Sequence, residues 1–186
     1  MSIVEIPLTK GKVALIDAAD FDLVSRYKWR AFCSRGNWYA QTDLSRSGGR
    51  RKTVFMHRLL LGVDGNYKVD HRDGDGLNNR RKNIRCATEA QNQMNRKARY
   101  GASRFKGVSY NAHTRMWLAR IVYSQQTACL GHYVTDAMAG LAYDLAAERL
   151  FRTFANLNHP RDARSRLAIV RNEALAKLRQ LQLLED

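Results

Sequence analysis

The sequence predicts an α+β chain built as two small units, each a short-stranded sheet accompanied by helix. Three observations carry that prediction. Short runs rich in aromatic and β-branched residues, separated by Gly or Asp, fill the N-terminal part. The pattern stops in "NRKARYGAS" (Asn95 to Ser103), which is basic, small and without apolar period, and restarts beyond it. Helical spacing then dominates the C-terminal part. A length of 186 residues suits this division, since single domains commonly run to roughly 100 to 200 residues. The expected boundaries are 1–96 for the first unit, 97–103 for a linker, 104–160 for the second unit and 161–186 for a C-terminal helix.

In the first unit, "KVALID" (Lys12 to Asp17), "KWRAFC" (Lys28 to Cys33) and "NWYAQTDL" (Asn37 to Leu44) are expected strands. "ADFDLVSRY" (Ala19 to Tyr27) has the caps and spacing of a short helix. "SRSGGRR" (Ser45 to Arg51) is a polar loop. "TVFMHRLLLG" (Thr53 to Gly62) is an apolar run ended by Gly, and its pattern fits a strand or a short helix equally.

In the second unit, "FKGVSYN" (Phe105 to Asn111), "RMWLARIVY" (Arg115 to Tyr123) and "TACLGHY" (Thr127 to Tyr133) form three expected strands. "TDAMAGLAYDLAAERLF" (Thr135 to Phe151) is an expected helix, capped by Thr135, with Ala139, Ala142 and Ala146 on a face small enough for close packing. The last helix runs from about Arg161 to Leu184. Its stripe of Leu167, Val170, Ala174, Leu178 and Leu181 is too short for a coiled coil and reads as a docking face; Arg161, Arg164, Arg166 and Arg171 crowd its first half.

Charge narrows the function. The net charge is +15, from 32 Lys and Arg against 17 Asp and Glu, which predicts a polyanionic partner. Nucleic acid fits better than a membrane surface, because the cations are spread over many segments and are not confined to one helix face. The three cysteines, Cys33, Cys86 and Cys129, show no zinc-finger spacing and are expected as reduced thiols. No apolar run approaches the roughly 18 residues of a membrane span, and the N-terminus has no signal-peptide pattern. These features predict a soluble intracellular protein, in a bacterial or phage-infected cell.

The stretch "VDHRDGDGLNNRRKNIRCATEAQNQMNRK" (Val69 to Lys97) sets carboxylates, a histidine and asparagines among cations. A calcium loop is excluded: with His71 at its first position the twelfth is Lys82, where a carboxylate is needed. Asp73 and Asp75 are therefore turn residues. A different frame remains, with Asp70 and His71 adjacent, Asn83 twelve residues after His71, and Asn92 nine further on. Adjacent strand residues point to opposite sides, so a bulge or turn after Val69 is expected if Asp70 and His71 are to share one site. Thr88, with Gln91 three residues later, fits a reciprocal helix cap. Taken singly each residue is an ordinary turn, cap or surface residue; their joint spacing points to chemistry.

That spacing resembles the HNH nuclease motif, in the H-N-N variant of phage and intron-encoded homing endonucleases. The resemblance implies a ββα-metal fold behind an N-terminal β-rich extension. It implies His71 as general base, Asn83 as the brace of the loop, Asp70 and Asn92 as ligands of Mg²⁺ or Mn²⁺, and DNA phosphodiester hydrolysis as the reaction. Arg72, Arg80, Arg81, Lys82, Arg85, Arg96 and Lys97 would then bring phosphate to the site. His57 resembles a recurrent family position and fits support of the site, DNA contact or core packing.

From Arg104 to Asn158, "RFKGVSYN", "MWLARI", "LGHY", "AYDLAAERLF" and "ANLNHP" resemble the plant APETALA-two or ethylene-response-factor DNA-binding domain. This implies a three-stranded antiparallel sheet packed on one helix and laid in the major groove of double-stranded DNA. Trp117, Ala119 and Ile121 would face the helix, with Met116, Leu118, Arg120 and Val122 toward DNA. Lys106, Tyr110, Arg115 and Arg120 are the expected contacts. Ser109 and Arg120 depart from the plant pattern, which puts base preference in doubt. The expected protein is thus a metal-dependent homing-type endonuclease targeted by its second unit. The rivals are a non-catalytic DNA-binding regulator and an RNA-binding protein, and whether the chain forms a homodimer is left open.

Overall fold

The computed structural model describes residues 2–45, 51–63, 65, 67–97, 102–159 and 168–180. The chain divides into two compact units between Gln93 and Met94. Outside the described residues lie most of the loop expected over Ser45 to Arg51, linker positions 98–101, and Arg161, Arg164, Arg166, Leu167 and Leu181 of the C-terminal segment.

In the first unit β1 (Ile3–Pro7) and β2 (Val13–Asp17) form an antiparallel hairpin. The short helix α1 (Phe21–Val24) follows. Three strands, β3 (Arg30–Ser34), β4 (Asn37–Ser45) and β5 (Arg51–Phe55), make an antiparallel sheet in sequence order. Arg35 and Gly36 close β3 onto β4 at φ 51° and 82°, a left-handed pair whose twist matches that of the strands. Strand β1 had no expectation from sequence; its one buried side chain is Ile6, too sparse a pattern to mark a strand.

The run from Thr53 to Gly62, open between strand and helix, is both. It pairs with β4 as far as Phe55, then turns into α2 (Met56–Leu61), which buries Met56, His57 and Leu60 and ends at Gly62 with φ 64°. The guanidinium of Arg58 donates to the Tyr67 and Gly65 carbonyls at 2.7 and 2.9 Å, fastening α2 to the connection that leads on to β6. An antiparallel pair, β6 (Lys68–His71) and β7 (Ile84–Ala87), precedes α3 (Glu89–Met94). Ile6, Ile16, Val24, Trp29, Met56, Leu60 and Ile84 share one core, so strands from all three sheets lean on α2.

In the second unit β8 (Val108–Asn111), β9 (Met116–Tyr123) and β10 (Gln126–Tyr133) form an antiparallel sheet with β9 central. Ala119 and Ile121 are buried, Trp117 packs against the same core, and Val122 on the other face is 59 % exposed. Helix α4 (Asp136–Phe151) covers the buried face, with Ala139, Ala142 and Ala146 wholly buried. The Thr135 hydroxyl caps it by accepting from the Met138 amide at 3.2 Å. Helix α5 (Ala168–Gln180) sets Val170, Ala174 and Leu178 into the same core, so its apolar stripe does dock.

Asn158 ties this unit together. Its side chain exchanges two hydrogen bonds with the Lys106 backbone (2.6 and 3.0 Å), and its amide donates to the buried Asp144 carboxylate at 2.7 Å. His159 adds its amide and Nδ1 to the same carboxylate, and its ring stacks on Phe105. Burial nevertheless pushes the Asp144 carboxyl above its ordinary value. Gly107 follows at φ 76°, where a Cβ would lie 2.6 Å from the Arg120 carbonyl oxygen and closer still to the Tyr143 ring. Gly107→Ala is therefore expected to cost at least about 2 kcal/mol, read from urea unfolding. Unchanged stability would show that this close approach is not needed by the fold.

Candidate active site

The antiparallel pair β6–β7 carries a loop, residues 72–83, that has almost no apolar side chain to hold it. Side-chain amides and carboxylates do so instead. Asn83 accepts from the Asp73 amide through Oδ1 (3.2 Å), and its Nδ2 donates to Asp73 Oδ1 (2.9 Å) and the Asn78 carbonyl (2.7 Å). Asp73 also accepts from the Asp75 amide and from Asn78 Nδ2, and Asp75 accepts from the Leu77 amide. Both aspartates are thus turn residues, bonded to their own backbone. Burial works against the Asp73 charge, but these donors hold its carboxyl below the ordinary value.

The β1–β2 hairpin grips the far side of the loop. Leu15 of β2 donates to the Leu77 carbonyl at 2.9 Å and accepts from the Asn79 amide at 2.8 Å. Asp17, at the end of β2, receives Arg80 Nε at 3.0 Å and the Arg81 amide at 2.9 Å. Burial alone would raise the Asp17 carboxyl; the Arg80 and Arg81 donors lower it instead. Asp20 takes the Arg81 guanidinium, with Nη2 at 2.7 Å. Arg80 and Arg81, expected as phosphate contacts, are therefore engaged in ion pairs within this unit.

A bulge after Val69 is not what the structure has. β6 stays in register with β7, Asp70 opposite Arg85 and His71 opposite Ile84, and the chain turns only after His71. Regular register sends the two side chains to opposite faces. Asp70 shares its face with Arg85, whose Nε and Nη2 lie 2.8 and 2.7 Å from Oδ2; both side chains are largely buried. Arg85 too, then, is held inside the fold.

His71 goes the other way, into an aromatic cluster. Its ring meets His57 edge-on at 5.0 Å and Tyr39 at 6.1 Å, and His57 stacks on Phe55 at 5.4 Å. Burial lowers the His71 pKa, while the neighbouring Asn79 amide and the carboxylates of Asp73, Asp70 and Asp75 pull it back up. The balance leaves a neutral imidazole near neutral pH, the form that can accept a proton. Asn79 is wholly buried and its Oδ1 makes no hydrogen bond of normal geometry among the described residues. Neither Tyr39 nor Asn79 was singled out for this site from sequence, since an aromatic in a strand and one asparagine of a pair carry no signal of their own.

Asn92 lies on α3, its amide donating to the Thr88 carbonyl at 2.9 Å. Thr88 and Gln91 cap that helix reciprocally: the Thr88 amide donates to Gln91 Oε1 at 2.9 Å and the Gln91 amide to Thr88 Oγ1 at 3.1 Å. Asp70 and Asn92, the expected ligands, carry oxygen donors of the type a hard divalent cation takes, and in this structure Asp70 Oδ2 is engaged by Arg85. Among the described residues no group of three His, Cys, Asp or Glu is placed to hold a metal.

Arg72 and Lys82 on the loop and Arg96 and Lys97 beyond α3 are exposed. In the second unit Tyr110, expected to face DNA, instead pairs with Trp117 on the helix-covered side of the sheet, the two rings 5.0 Å apart, though its edge-strand position leaves it exposed; on the outer face Arg120 Nη2 lies 3.5 Å from Ser109 Oγ. Arg115 caps the β8–β9 connection at φ 54°. Lys106 instead turns inward: its ammonium donates to the Met94 carbonyl and lies 5.9 Å from the Tyr143 ring centre, and burial brings its pKa down to about 8.

Residues 55–94 match the family model of the HNH endonucleases. The matched segment contains Asp70, His71, Asn83 and Asn92 together with His57, the residues whose spacing resembles the HNH motif. The chain is also 28 % identical over 151 residues to an uncharacterized HNH endonuclease of Acanthamoeba polyphaga mimivirus, covering 80 % of this chain and 76 % of that one. No solved structure matches. No helix among the described residues is long and apolar enough to cross a membrane.

His57 gives the first unit a pH signature. Burial first, then the His71 and Arg58 charges, bring its pKa from 6.5 to about 3. The unfolded chain takes up a proton below pH 6.5 that the folded chain refuses until about pH 3. Stability is therefore full above pH 6.5 and falls through that window by up to about 1.4 kcal/mol per pH unit for this group. His57→Phe, which keeps the stack on Phe55, should flatten the loss of Tm between pH 6.5 and 4.5 without abolishing it, because His71 contributes in the same direction. Parallel Tm curves for wild type and variant would contradict this.

Proposed function

We propose that the chain is a metal-dependent DNA endonuclease of the homing type, with His71 as general base. The observation that carries this reading is His71 itself, buried at the end of β6, held neutral, and set beside a loop braced by Asn83. Hydrolysis of a phosphodiester needs a base that is unprotonated near neutral pH, and burial against Tyr39 and His57 produces one. Nδ1 or Nε2 of that ring takes the proton of the attacking water. Asn83 acts through the loop, keeping the β6 end in place. Asp70 and Asn92 would hold Mg²⁺ or Mn²⁺, which when bound supplies positive charge to the scissile phosphate. Asp70 and His71 leave the strand on opposite faces, so ligand and base would serve the phosphate from two sides of one strand end.

Arg72, Lys82, Arg96 and Lys97 are the proposed phosphate contacts of the nuclease unit. Arg80, Arg81 and Arg85 serve the same end by keeping the loop rigid. In the second unit we assign the APETALA-two-like role to the outer sheet face, where Arg120, with Arg115 at the β8–β9 turn, is the proposed contact with duplex DNA and Met116, Leu118 and Val122 supply apolar surface. Lys106, half-buried, orders the start of that sheet. One such site cuts one strand, so a double-strand break requires a second copy or a second event.

His71→Ala is expected to slow Mg²⁺-dependent nicking of supercoiled plasmid by about 100-fold or more. Duplex affinity, measured in EDTA, should change little. Wild-type rates from the variant would remove His71 from the chemistry; a wild type that binds duplex but never nicks, with Mg²⁺ or Mn²⁺, would favour the regulator reading.

A further inference from the structure

With Arg80, Arg81 and Arg85 engaged by Asp17, Asp20 and Asp70, the first unit must present other cations to a polyanion beside the candidate site. The N-terminal sheets hold such a set. Lys10 and Lys12 lie in and just after the β1–β2 turn, and their Nζ atoms sit 5.5 and 5.0 Å from the centre of the Trp38 ring. Arg35 lies at the tip of the β3–β4 hairpin, three residues from Trp38. Among the described residues none of the three is ion-paired.

Two further features mark this patch. Lys10 and Arg35 both occupy left-handed backbone, at φ 60° and 51°, where Gly or Asn would fit with less strain. The patch also adjoins the loop that follows His71. Asn37, beside Trp38, donates Nδ2 to the Gly74 carbonyl at 3.2 Å, and a Cβ on Gly76 would fall 2.4 Å from the Trp38 carbonyl oxygen. Tyr39, the next residue of β4, points to the opposite face and meets the His71 ring.

We propose that Lys10, Lys12 and Arg35 form a phosphate-binding rim that seats the backbone of duplex DNA beside the loop that follows His71. Trp38 serves as the platform that orders the two ammonium groups. An ammonium over an indole face keeps its N–H donors turned to solvent, so a phosphate meets charges whose stems are already placed. The contact is with the backbone, so it positions the duplex and adds no base preference. The proposal takes its partner from the nuclease reading, but its test measures binding alone.

The test uses the full chain in EDTA with a labelled mixed-sequence duplex, binding being followed by fluorescence anisotropy across a NaCl series. Lys10→Gln combined with Lys12→Gln keeps the stems over Trp38 and removes both charges. The slope of log K against log salt should become shallower by about 2 in the double variant and by about 1 in Arg35→Gln. Lys10→Arg with Lys12→Arg should keep the wild-type slope. If the double variant fails to fold, each single Lys→Gln variant decides, with an expected change of about 1. A wild-type slope in the charge-removed variants overturns the rim, with or without a fall in Tm, and leaves the lysines as cover for Trp38. A larger slope loss on duplex RNA than on DNA overturns the choice of partner. A protein that loses slope as expected yet never nicks DNA keeps the rim and loses the nuclease reading; one that nicks with slope unchanged does the reverse.

Discussion

The side-chain amide of Asn83 is the constraint on which the rest of the first unit depends. The loop it closes has many backbone donors and almost no apolar surface, so hydrophobic burial cannot define its path. One amide supplies an acceptor and a donor to Asp73 and a second donor bond to the Asn78 carbonyl. Asp73 passes the constraint on to Asp75 and Asn78. Because the loop follows directly from His71, the conformation of that network is also the conformation of the strand end that carries the imidazole.

Electrostatics divides the cations of a strongly basic chain into two classes. Arg80 of the loop and Arg85 of β7 face buried carboxylates, each pair combining a charge-assisted hydrogen bond with low exposure, so removing either partner would strand a buried charge. Lysines and arginines at turn tips face solvent. Anchoring and attraction of phosphate thus fall to different residues, although both types look alike in composition. The same balance sets the state of His71: three carboxylates on its own loop and strand pull toward the imidazolium, yet burial among Phe55, Tyr39 and His57 prevails.

The second unit solves a similar problem with a different residue. Asn158 mimics a strand for the Lys106 backbone and helps three donors converge on Asp144 inside α4. Its core is otherwise apolar, with alanines bringing α4 close to β9 and the stripe of α5 closing the other side. Since these contacts fix only the buried face of the sheet, the outer face is left to vary in its polar groups, and there Ser109 and Arg120 meet.

The sequence by itself determined what depends on neighbours along the chain. The Thr88–Gln91 cap, the turn roles of Asp73 and Asp75, the end of the apolar run at Gly62, the alternation in β9 and the spacing from Asp70 to Asn92 are set by residues within a few positions or by counts between them. The apolar run from Thr53 was ambiguous because strand and helix meet inside it, and β1 escaped notice because a single buried Ile6 makes no period. Only the tertiary structure decided the rest. Asp17 meets Arg80 across 63 positions and Asp20 meets Arg81 across 61. The inward turn of Lys106, the regular register at Asp70 and the aromatic wall around His71 likewise depend on which faces the folded chain brings together. Spacing specifies residue types and order, whereas the direction a charge faces is settled by packing between segments remote in sequence.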